Sequence, residues 1–300
     1  MKRLEEQYQR MHEGRGFIAA LDQSGGSTPK ALQGYGIARD AYDSEEEMFD
    51  LVHAMRTRII ANPVFNEDHI LGAILFIETL RRKVEDVPTA TYLWERKGIV
   101  PFLKIDQGMR EEDSGVQLMK EIEGLDDILA EAREAGVFGT KMRSVIREPD
   151  VVGIGSIAGQ QFRLARQICE AGLVPIIEPE VDIHSRQKVE CEVLLRENLL
   201  RQLDQLPRDH RVMLKLTLPE KPDFHRPCIE HPRVVRVVAL SGGYDREEAN
   251  ERLAHNRGLV ASFLRALLEG LTAQQSDEDF TSTLQHSIQS IYEASLAPVD

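Results

Sequence analysis

Short runs of Val, Ile, Leu and Phe alternate along the chain with longer segments in which apolar residues recur every three or four positions. Runs of the first kind predict buried β-strands, and segments of the second kind predict amphipathic helices. Eight strands are predicted in this way, at residues 16–22, 70–77, 99–106, 137–143, 174–181, 211–218, 234–242 and 259–267. Mostly apolar strands separated by helices are typical of a parallel sheet covered by helices.

Eight strand–helix units in 300 residues predict an α/β protein with a (β/α)8 TIM barrel. We expect one domain over residues 1–300, with an additional helix at each end. The last helix carries an apolar stripe at Leu284, Ile288 and Ile291, which would dock on the barrel. A doubly wound sheet is the alternative, but the early Gly-rich turn that it usually has after its first strand is not well matched here.

The composition narrows the classes of partner. The net charge of −13 argues against nucleic acid as the main partner, and it requires a local basic cluster for any anionic substrate. No run approaches the roughly 18 uncharged apolar residues that span a bilayer, so no membrane partner is expected. Three widely spaced cysteines, at positions 169, 191 and 228, predict a reducing, cytoplasmic location. The sequence leaves the oligomeric state open and allows a homo-oligomer.

Charged residues stand at the ends of the predicted strands, where the catalytic residues of TIM barrels lie. Asp22, Lys104, Lys141, Glu178 and Lys215 end the first, third, fourth, fifth and sixth strands. Three further charged residues stand at or just beyond strand ends: Asp106, Arg143 and Glu180. They could equally have a structural role, as members of buried ion pairs inside the barrel.

Side-chain alternation directs the lysines into the barrel. In the sixth strand the even-numbered positions are all apolar and suit packing under helices, so Lys215 would point inward, and the same parity directs Lys104 and Lys141 inward. An amine that is partly desolvated among other cations has a lowered pKa and can attack a carbonyl to form a Schiff base. Facing carboxylates, such as Asp22 and Glu178, would transfer the protons. This pattern does not distinguish Lys215 from the other two lysines.

Two Gly-rich turns follow strands, at residues 24–27 and 241–244. Each could be a plain tight turn, or its hydroxyls and backbone N–H groups could bind phosphate. Barrels often bind phosphate after strands seven and eight, where Arg265 would add a guanidinium. Metal chemistry is disfavoured because the nine histidines are scattered without an HxH or HExxH motif, so no metal and no cofactor is expected. His184, just beyond a strand end, is interpreted as loop surface.

With these residues in place, the chain resembles class I fructose-bisphosphate aldolase and is similar to its bacterial, shorter branch. The resemblance runs from Gly16 to about Ala294 through eight segments in the same order: GFIAALDQSGGSTPKAL, ILGAILFIETL, GIVPFLKIDQG, GVFGTKMRSVI, GLVPIIEPEVDI, VMLKLTLP, VVALSGGYDREEAN and ASFLRAL. It implies a barrel enzyme of glycolysis and gluconeogenesis. That enzyme reversibly cleaves fructose 1,6-bisphosphate, without a metal, to dihydroxyacetone phosphate and glyceraldehyde 3-phosphate.

The resemblance also implies roles for individual residues. Lys215 matches the Schiff-base lysine and Glu178 the general acid/base, while Asp22, Lys141 and Glu180 match residues that orient the substrate and assist C–C cleavage. The substrate-binding residues that it implies are Ser24, Ser27 and Lys104 for the far phosphate, Ser241, Gly242 and Arg265 for the ketose-side phosphate, and Arg143 as a further basic residue.

Several positions depart from the animal-type pattern of the family. Gln23 stands where that pattern has Glu, Met142 where it has Trp, and Leu264 where it has Gly. The long C-terminal tail that ends in Tyr is absent, and Tyr292 falls within the last helix instead. Two other functions stay open: Schiff-base chemistry on another phosphorylated substrate, as in transaldolase-like or deoxyribose-phosphate-type enzymes, and a non-catalytic binding role on an inherited barrel.

Overall fold

A computed structural model describes residues 2–24 and 28–296. Within them, eight mutually parallel strands follow one another in sheet order: β1 (Phe17–Leu21), β2 (Ile70–Leu75), β3 (Val100–Lys104), β4 (Gly139–Ile146), β5 (Val174–Val181), β6 (Val212–Thr217), β7 (Val234–Leu240) and β8 (Val260–Ala261). The ring closes where the Ala20 N–H of β1 donates to the Phe263 carbonyl beyond β8, at 3.3 Å. The predicted TIM barrel is confirmed, and the doubly wound alternative is wrong.

Helices surround this barrel and link its strands: α1 (Lys2–Glu13), α2 (Thr28–Gly34), α3 (Glu45–Ala61), α4 (Ile77–Leu80), α5 (Thr89–Thr91), α6 (Leu125–Glu134), α7 (Val151–Glu170), α8 (Lys188–Asp204), α9 (Arg226–Ile229), α10 (Arg246–Ala254), α11 (Arg265–Leu268) and α12 (Asp277–Leu296). A 3₁₀ turn (Arg39–Ala41) precedes α3, and a π-helical turn (Tyr92–Arg96) extends α5. Two short antiparallel pieces, Lys83–Val84 and Val87–Pro88, pair with each other, and Val116–Gln117 pairs with the end of β4.

The helix starts follow local side-chain chemistry. Ser44 Oγ caps α3 by accepting the Glu47 N–H at 3.1 Å, and the Glu47 carboxylate accepts the Asp43 N–H at 2.7 Å. The Asp150 carboxylate caps α7 by accepting the Gly153 N–H at 2.6 Å. These caps fix where the helices leave the strand ends, and so they help to fix the loops that carry the polar residues.

Two apolar layers result from the alternation along the strands. Leu214 and Leu216 of β6 face the outer helices, as does Leu218 just beyond the strand, while Met213 packs inside the barrel with residues such as Phe102 of β3. The inward parity predicted for Lys215 and the other lysines is therefore confirmed. Met11 of α1 packs against the interior cluster and covers the N-terminal ends of the strands.

The eighth strand is shorter than predicted. It spans Val260–Ala261, and Arg265, expected to end it, instead begins α11. Leu264 directly before it has αR dihedrals (φ −102°, ψ −69°), which end the extended conformation there. The prediction for residues 259–267 was wrong because an apolar run alone does not separate a strand from a short buried helix.

The last helix docks on the barrel as predicted. Leu284, Ile288 and Ile291 of α12 are all buried in the outer layer. Tyr292 packs edge-on against His69, with ring centroids 4.6 Å apart. His69 directly precedes β2, so Tyr292 lies at the N-terminal end of the strands. None of the described helices is long and apolar enough to cross a membrane.

Candidate active site

Four buried side chains form a continuous ionic cluster at the C-terminal end of the barrel. Lys141 Nζ lies 2.6 Å from Asp22 Oδ2 and 2.9 Å from Glu178 Oε2. The other oxygen of Glu178, Oε1, lies 3.2 Å from Lys215 Nζ. The exposures of Glu178 and Lys215 are only 3% and 4%. Strands β1, β4, β5 and β6 thus bring together Asp22, Lys141, Glu178 and Lys215, as the sequence predicts.

The charges of this cluster support one another. Burial opposes ionisation of Asp22 and Glu178, but the neighbouring charges of Lys141 and Lys215 outweigh it, so the pKa of each carboxyl lies below its usual value. Burial likewise opposes the charge on Lys141, yet Asp22, Glu178 and Asp106 raise its pKa. The expectation of a lowered lysine pKa is therefore wrong for Lys141, because its nearest charged neighbours are carboxylates rather than other cations.

A buried amide fixes the backbone of Glu178. Gln161 of α7 accepts the Glu178 N–H through Oε1 at 2.9 Å, and its Nε2 donates to Ser144 Oγ at 3.0 Å. On the far side of β5, Thr217 Oγ1 donates to the Val181 carbonyl at 2.8 Å and accepts the Val181 N–H at 2.9 Å. These polar groups join β5 to its neighbours at the level of the cluster and hold Glu178 in place.

Asp106, Arg143 and Glu180, the further charges at the strand ends, form ion pairs, which is the structural role left open by the sequence. Lys104 Nζ lies 2.8 Å from Asp106 Oδ1 and donates to the Asp106 carbonyl at 2.9 Å. Arg143 pairs with Glu180 through its Nε. Strand register sets Lys104 beside Lys141 and Arg143 beside Glu178, so both pairs border the central cluster.

The turn after β7 lies close against Ile183 and Arg265, and at Gly242 a side chain would clash. Gly242 has φ +62°, and a Cβ there would lie 2.6 Å from Ile183 Cγ2. A Cβ on Gly243 would lie 3.4 Å from Arg265 Nη2. The guanidinium of Arg265 therefore lies beside the turn that starts at Ser241, although Arg265 belongs to α11 rather than to β8. Ser241, Gly242 and Arg265 are brought together as predicted.

The turn after β1 is described only up to Ser24, which is half-buried. Ser27, which was also predicted to bind phosphate, lies outside the described residues, as do Gly25 and Gly26. Gln23 is bonded to Arg56 of α3, whose Nη2 donates to the Gln23 carbonyl at 2.6 Å. Sequence reasoning missed Arg56. The sequence feature that could have indicated it is a charged residue directly after Met55, on the apolar face of α3.

Several groups lie away from this site. His184 is exposed in the loop after β5, which agrees with its interpretation as a loop-surface residue. Within residues 2–24 and 28–296, no three His, Cys, Asp or Glu side chains cluster so that they could hold a metal ion. Ile183 and Gln161 border the site without a polar strand-end signal, so the sequence offered no means of finding them.

Known proteins resemble this chain in sequence and in fold. The family model described as fructose-bisphosphate aldolase class-I matches residues 4–234. The fructose-bisphosphate aldolase class 1 of Synechocystis sp. is 56% identical over 292 residues, with 97% of each chain covered. The corresponding protein of Porphyromonas gingivalis is 54% identical over 291 residues, which cover 97% of this chain and 99% of that one. That of Clostridium acetobutylicum is 55% identical over 292 residues, with the same two shares covered.

Among solved structures, the fructose-bisphosphate aldolase of Plasmodium falciparum superposes with a TM-score of 0.77 at 23% identity, covering 98% of this chain and 94% of that one. That likeness supports the barrel fold. The family-model match contains Asp22, Lys141, Glu178 and Lys215, and the bacterial relatives extend over the turn after β7 as well. More than half of the residues are thus shared with several aldolases over nearly the whole length, and the chain belongs to the class I fructose-bisphosphate aldolase family.

Proposed function

We propose that the chain reversibly cleaves fructose 1,6-bisphosphate to dihydroxyacetone phosphate and glyceraldehyde 3-phosphate through a Schiff base on Lys215. The observation that supports it most is the position of Glu178, whose two oxygens contact Lys215 Nζ and Lys141 Nζ in a buried setting. An amine nucleophile within hydrogen-bond reach of a proton-transfer group is the arrangement that imine formation requires.

Imine formation starts when Lys215 Nζ attacks C2 of the ketose and a C–N bond replaces the C=O π bond. Glu178 takes one proton from the Lys215 ammonium before the attack and gives it to the alkoxide that the attack creates, which forms the carbinolamine. It then takes a second proton from the nitrogen and passes it to the carbinolamine hydroxyl, which leaves as water as the C=N bond forms. The lowered pKa of Glu178, caused by Lys141 and Lys215 outweighing burial, keeps its carboxylate ionised and able to accept the first proton.

Cleavage then moves the electron pair of the C3–C4 bond into the iminium, leaving an enamine on Lys215. The proton of the C4 hydroxyl passes to a carboxylate as the aldehyde forms, and Asp22, kept ionised by Lys141, serves as that base. Glu180, paired with Arg143, orients the substrate. Protonation of the enamine at C3 and hydrolysis of the iminium release dihydroxyacetone phosphate and regenerate the lysine.

Groups that suit phosphate stand on opposite sides of the barrel mouth. Lys104 ends β3, whereas Ser241 and Gly242 follow β7 with Arg265 beside them. The third and seventh strands of an eight-stranded ring lie across its axis from each other. A substrate with a phosphate at each end fits this placement, with Ser24 and Ser27 assigned to the Lys104 side.

Borohydride reduction in the presence of dihydroxyacetone phosphate tests the proposal. The expected result is irreversible inactivation, with one reduced triose phosphate attached to Lys215 in the peptide map and activity retained in EDTA. Label on Lys104 or Lys141, or loss of activity in EDTA, would contradict it. Comparable kcat/KM values for fructose 1-phosphate and the bisphosphate would contradict the bisphosphate assignment alone.

We also propose the substrates, the cellular location and the oligomeric state of this chain. The curated relatives are named as enzymes that act on a sugar bisphosphate, and we assign sugar phosphates as the partners of this chain. A cytoplasmic location is supported by the three cysteines, Cys169, Cys191 and Cys228, which are all free thiols. A homo-oligomer remains a prediction, which analytical ultracentrifugation would test.

A further inference from the structure

Arg56 is a fully buried guanidinium in the middle of α3, with 1% of its surface exposed. Its Nη1 donates to Thr79 Oγ1 at 2.5 Å. Its Nη2 donates to the Gln23 carbonyl at 2.6 Å and to Gln23 Oε1 at 3.4 Å. Gln23 directly follows Asp22, so Arg56 reaches the backbone of the turn that leaves β1 toward the predicted phosphate-binding loop.

The charge of Arg56 is not balanced by a direct partner. No carboxylate in residues 2–24 or 28–296 lies within 4.0 Å of it, and its Nε is buried without a hydrogen-bond partner. Burial lowers the pKa of Arg56 to about 10 although the charge of Asp22, beyond contact distance, acts in the opposite direction, and the side chain stays charged at neutral pH. By contrast, the nearby buried amines Lys104, Lys141 and Lys215 each contact a carboxylate.

An unpaired charge in this position is costly, because transfer of an ion from water to a protein interior carries a penalty of several kcal/mol. A neutral side chain of similar size would fill the same space without that cost. The contacts that Arg56 makes therefore need a reason other than stability. They join α3 and α4, through Thr79, to the peptide that follows Asp22.

We infer that Arg56 is a positioning residue, which holds the Gln23 peptide and thereby orients Asp22 and Ser24 toward the substrate without touching it. This inference rests on the proposed function, in which Asp22 assists cleavage and the loop that starts at Ser24 binds the far phosphate. The part of the reaction on the ketose side, at Lys215 and Arg265, should depend on Arg56 much less.

Arg56→Met tests the inference through the two halves of the reaction. Loss of the charged hydrogen bonds should lower kcat/KM for fructose 1,6-bisphosphate by about 10- to 100-fold. Trapping of dihydroxyacetone phosphate on Lys215 by borohydride should change little. The kcat/KM ratio of the bisphosphate to fructose 1-phosphate should decrease, because Ser24, which is assigned to the far phosphate, loses the support of the Gln23 peptide. A change in folding alone would not alter that ratio.

Arg236→Met provides a matched control. Arg236 is partly buried, and it donates to the carbonyls of Met11, His12 and Gly14 at the N-terminal end of the barrel. This variant should lose stability and keep the substrate ratio. If both arginine variants keep wild-type kcat/KM and substrate ratio while losing stability, Arg56 is structural and the inference is wrong.

Two milder variants keep the test decisive if Arg56→Met does not fold. Thr79→Val removes the Nη1 contact and leaves the charge, and Arg56→Lys keeps the charge without the two-point contact. Each should lower the kcat/KM ratio of the bisphosphate to fructose 1-phosphate, by less than Arg56→Met does. An unchanged ratio in both variants would overturn the inference. Failure of the proposed function would be distinct, because the unaltered chain would then not be trapped on Lys215.

Discussion

Glu178 Oε1 lies 3.2 Å from Lys215 Nζ, while the second oxygen of the same carboxylate lies 2.9 Å from Lys141 Nζ. One carboxylate therefore joins the proposed nucleophile to a lysine that also contacts Asp22. The groups proposed for imine formation and for C–C cleavage are parts of one buried network. A proton that leaves Lys215 has an acceptor within one hydrogen bond and does not need to cross solvent.

Glu178→Gln should leave the barrel folded and slow catalysis, because the change is nearly isosteric but removes the group that transfers protons. General acid–base catalysis contributes about 10²–10⁴-fold, and we expect kcat for bisphosphate cleavage to fall by that factor. The rate of borohydride-dependent inactivation with dihydroxyacetone phosphate should fall with it. Near-normal turnover would assign the proton transfer to another carboxylate, such as Asp22.

Glu192→Gln is the control for this substitution. Glu192 is also buried and bonded to a lysine, Lys188, but it lies on α8 outside the barrel interior. Its substitution should change the free energy of unfolding and leave kcat unchanged. Equal losses of activity in both variants would show that the effect of Glu178→Gln reflects packing.

The sequence predicted the barrel and the direction of its charged side chains, because alternation of Leu214, Lys215 and Leu216 reports burial on both faces of a strand. It did not predict which carboxylate meets which lysine. The contact of Lys141 with Asp22 joins β4 to β1 across the interior, and such pairing depends on strand tilt and stagger, which no local pattern contains.

Two further differences between prediction and structure show what a local sequence pattern does not determine. The strand-end pattern predicts lysines among other cations with a lowered pKa. The fold instead places carboxylates against Lys141 and raises its pKa. Arg265 was expected on a strand because its surroundings are apolar. Tertiary packing of α11 decided otherwise, yet the guanidinium still lies near Gly243.

Arg265→Ala should weaken binding of the ketose-side phosphate. A charge-assisted hydrogen bond contributes about 1.5–3 kcal/mol, which corresponds to one to two decades in kcat/KM at about 1.4 kcal/mol per decade. Both the bisphosphate and dihydroxyacetone phosphate should be affected, as measured by cleavage kinetics and by trapping. A loss restricted to discrimination among aldehydes would mean that the two phosphate sites are assigned in the wrong order.

His225 should make the fold sensitive to mild acid. The side chain is buried before α9, donates through Nε2 to the Thr217 carbonyl at 3.4 Å, and has a buried Nδ1 without a hydrogen-bond partner. Burial, aided by the nearby charges of Lys188 and Arg196, lowers its pKa from 6.5 to about 4.

Between pH 6.5 and pH 4 the unfolded chain binds a proton at His225 that the folded chain does not, so stability falls as the pH falls through this range. The full effect is about 3 kcal/mol, at 1.36 kcal/mol per pKa unit. His225→Gln should remove that part of the acid sensitivity in urea unfolding at pH 4.5, 5.5 and 6.5. His184→Gln, at an exposed loop position, should not; equal slopes for His225→Gln and the unaltered chain would contradict the assignment.

Tyr292 should contribute to stability and not to the chemistry. Its ring packs against His69, which precedes β2, whereas the reacting groups lie beyond the opposite ends of the strands. The six residues of β2 separate the two levels by roughly 15–20 Å, since a strand rises about 3.3 Å per residue and is tilted in a barrel. Because α12 is anchored by Leu284, Ile288 and Ile291 in the outer layer, the tyrosine cannot cross that distance without undocking the helix.

Tyr292→Phe should therefore leave both bisphosphate cleavage and the exchange of the C3 proton of dihydroxyacetone phosphate with solvent unchanged. Tyr292→Ala should keep both rates as well, while lowering the free energy of unfolding by about 1–3 kcal/mol through the lost ring contact. Proton exchange measured by NMR in deuterated buffer, beside urea unfolding of the same samples, separates the two effects. A selective loss of exchange in a fully folded Tyr292→Phe enzyme would assign enamine protonation to this tyrosine; retained exchange assigns it to a group inside the barrel, where Glu178 is the nearest carboxylate to Lys215.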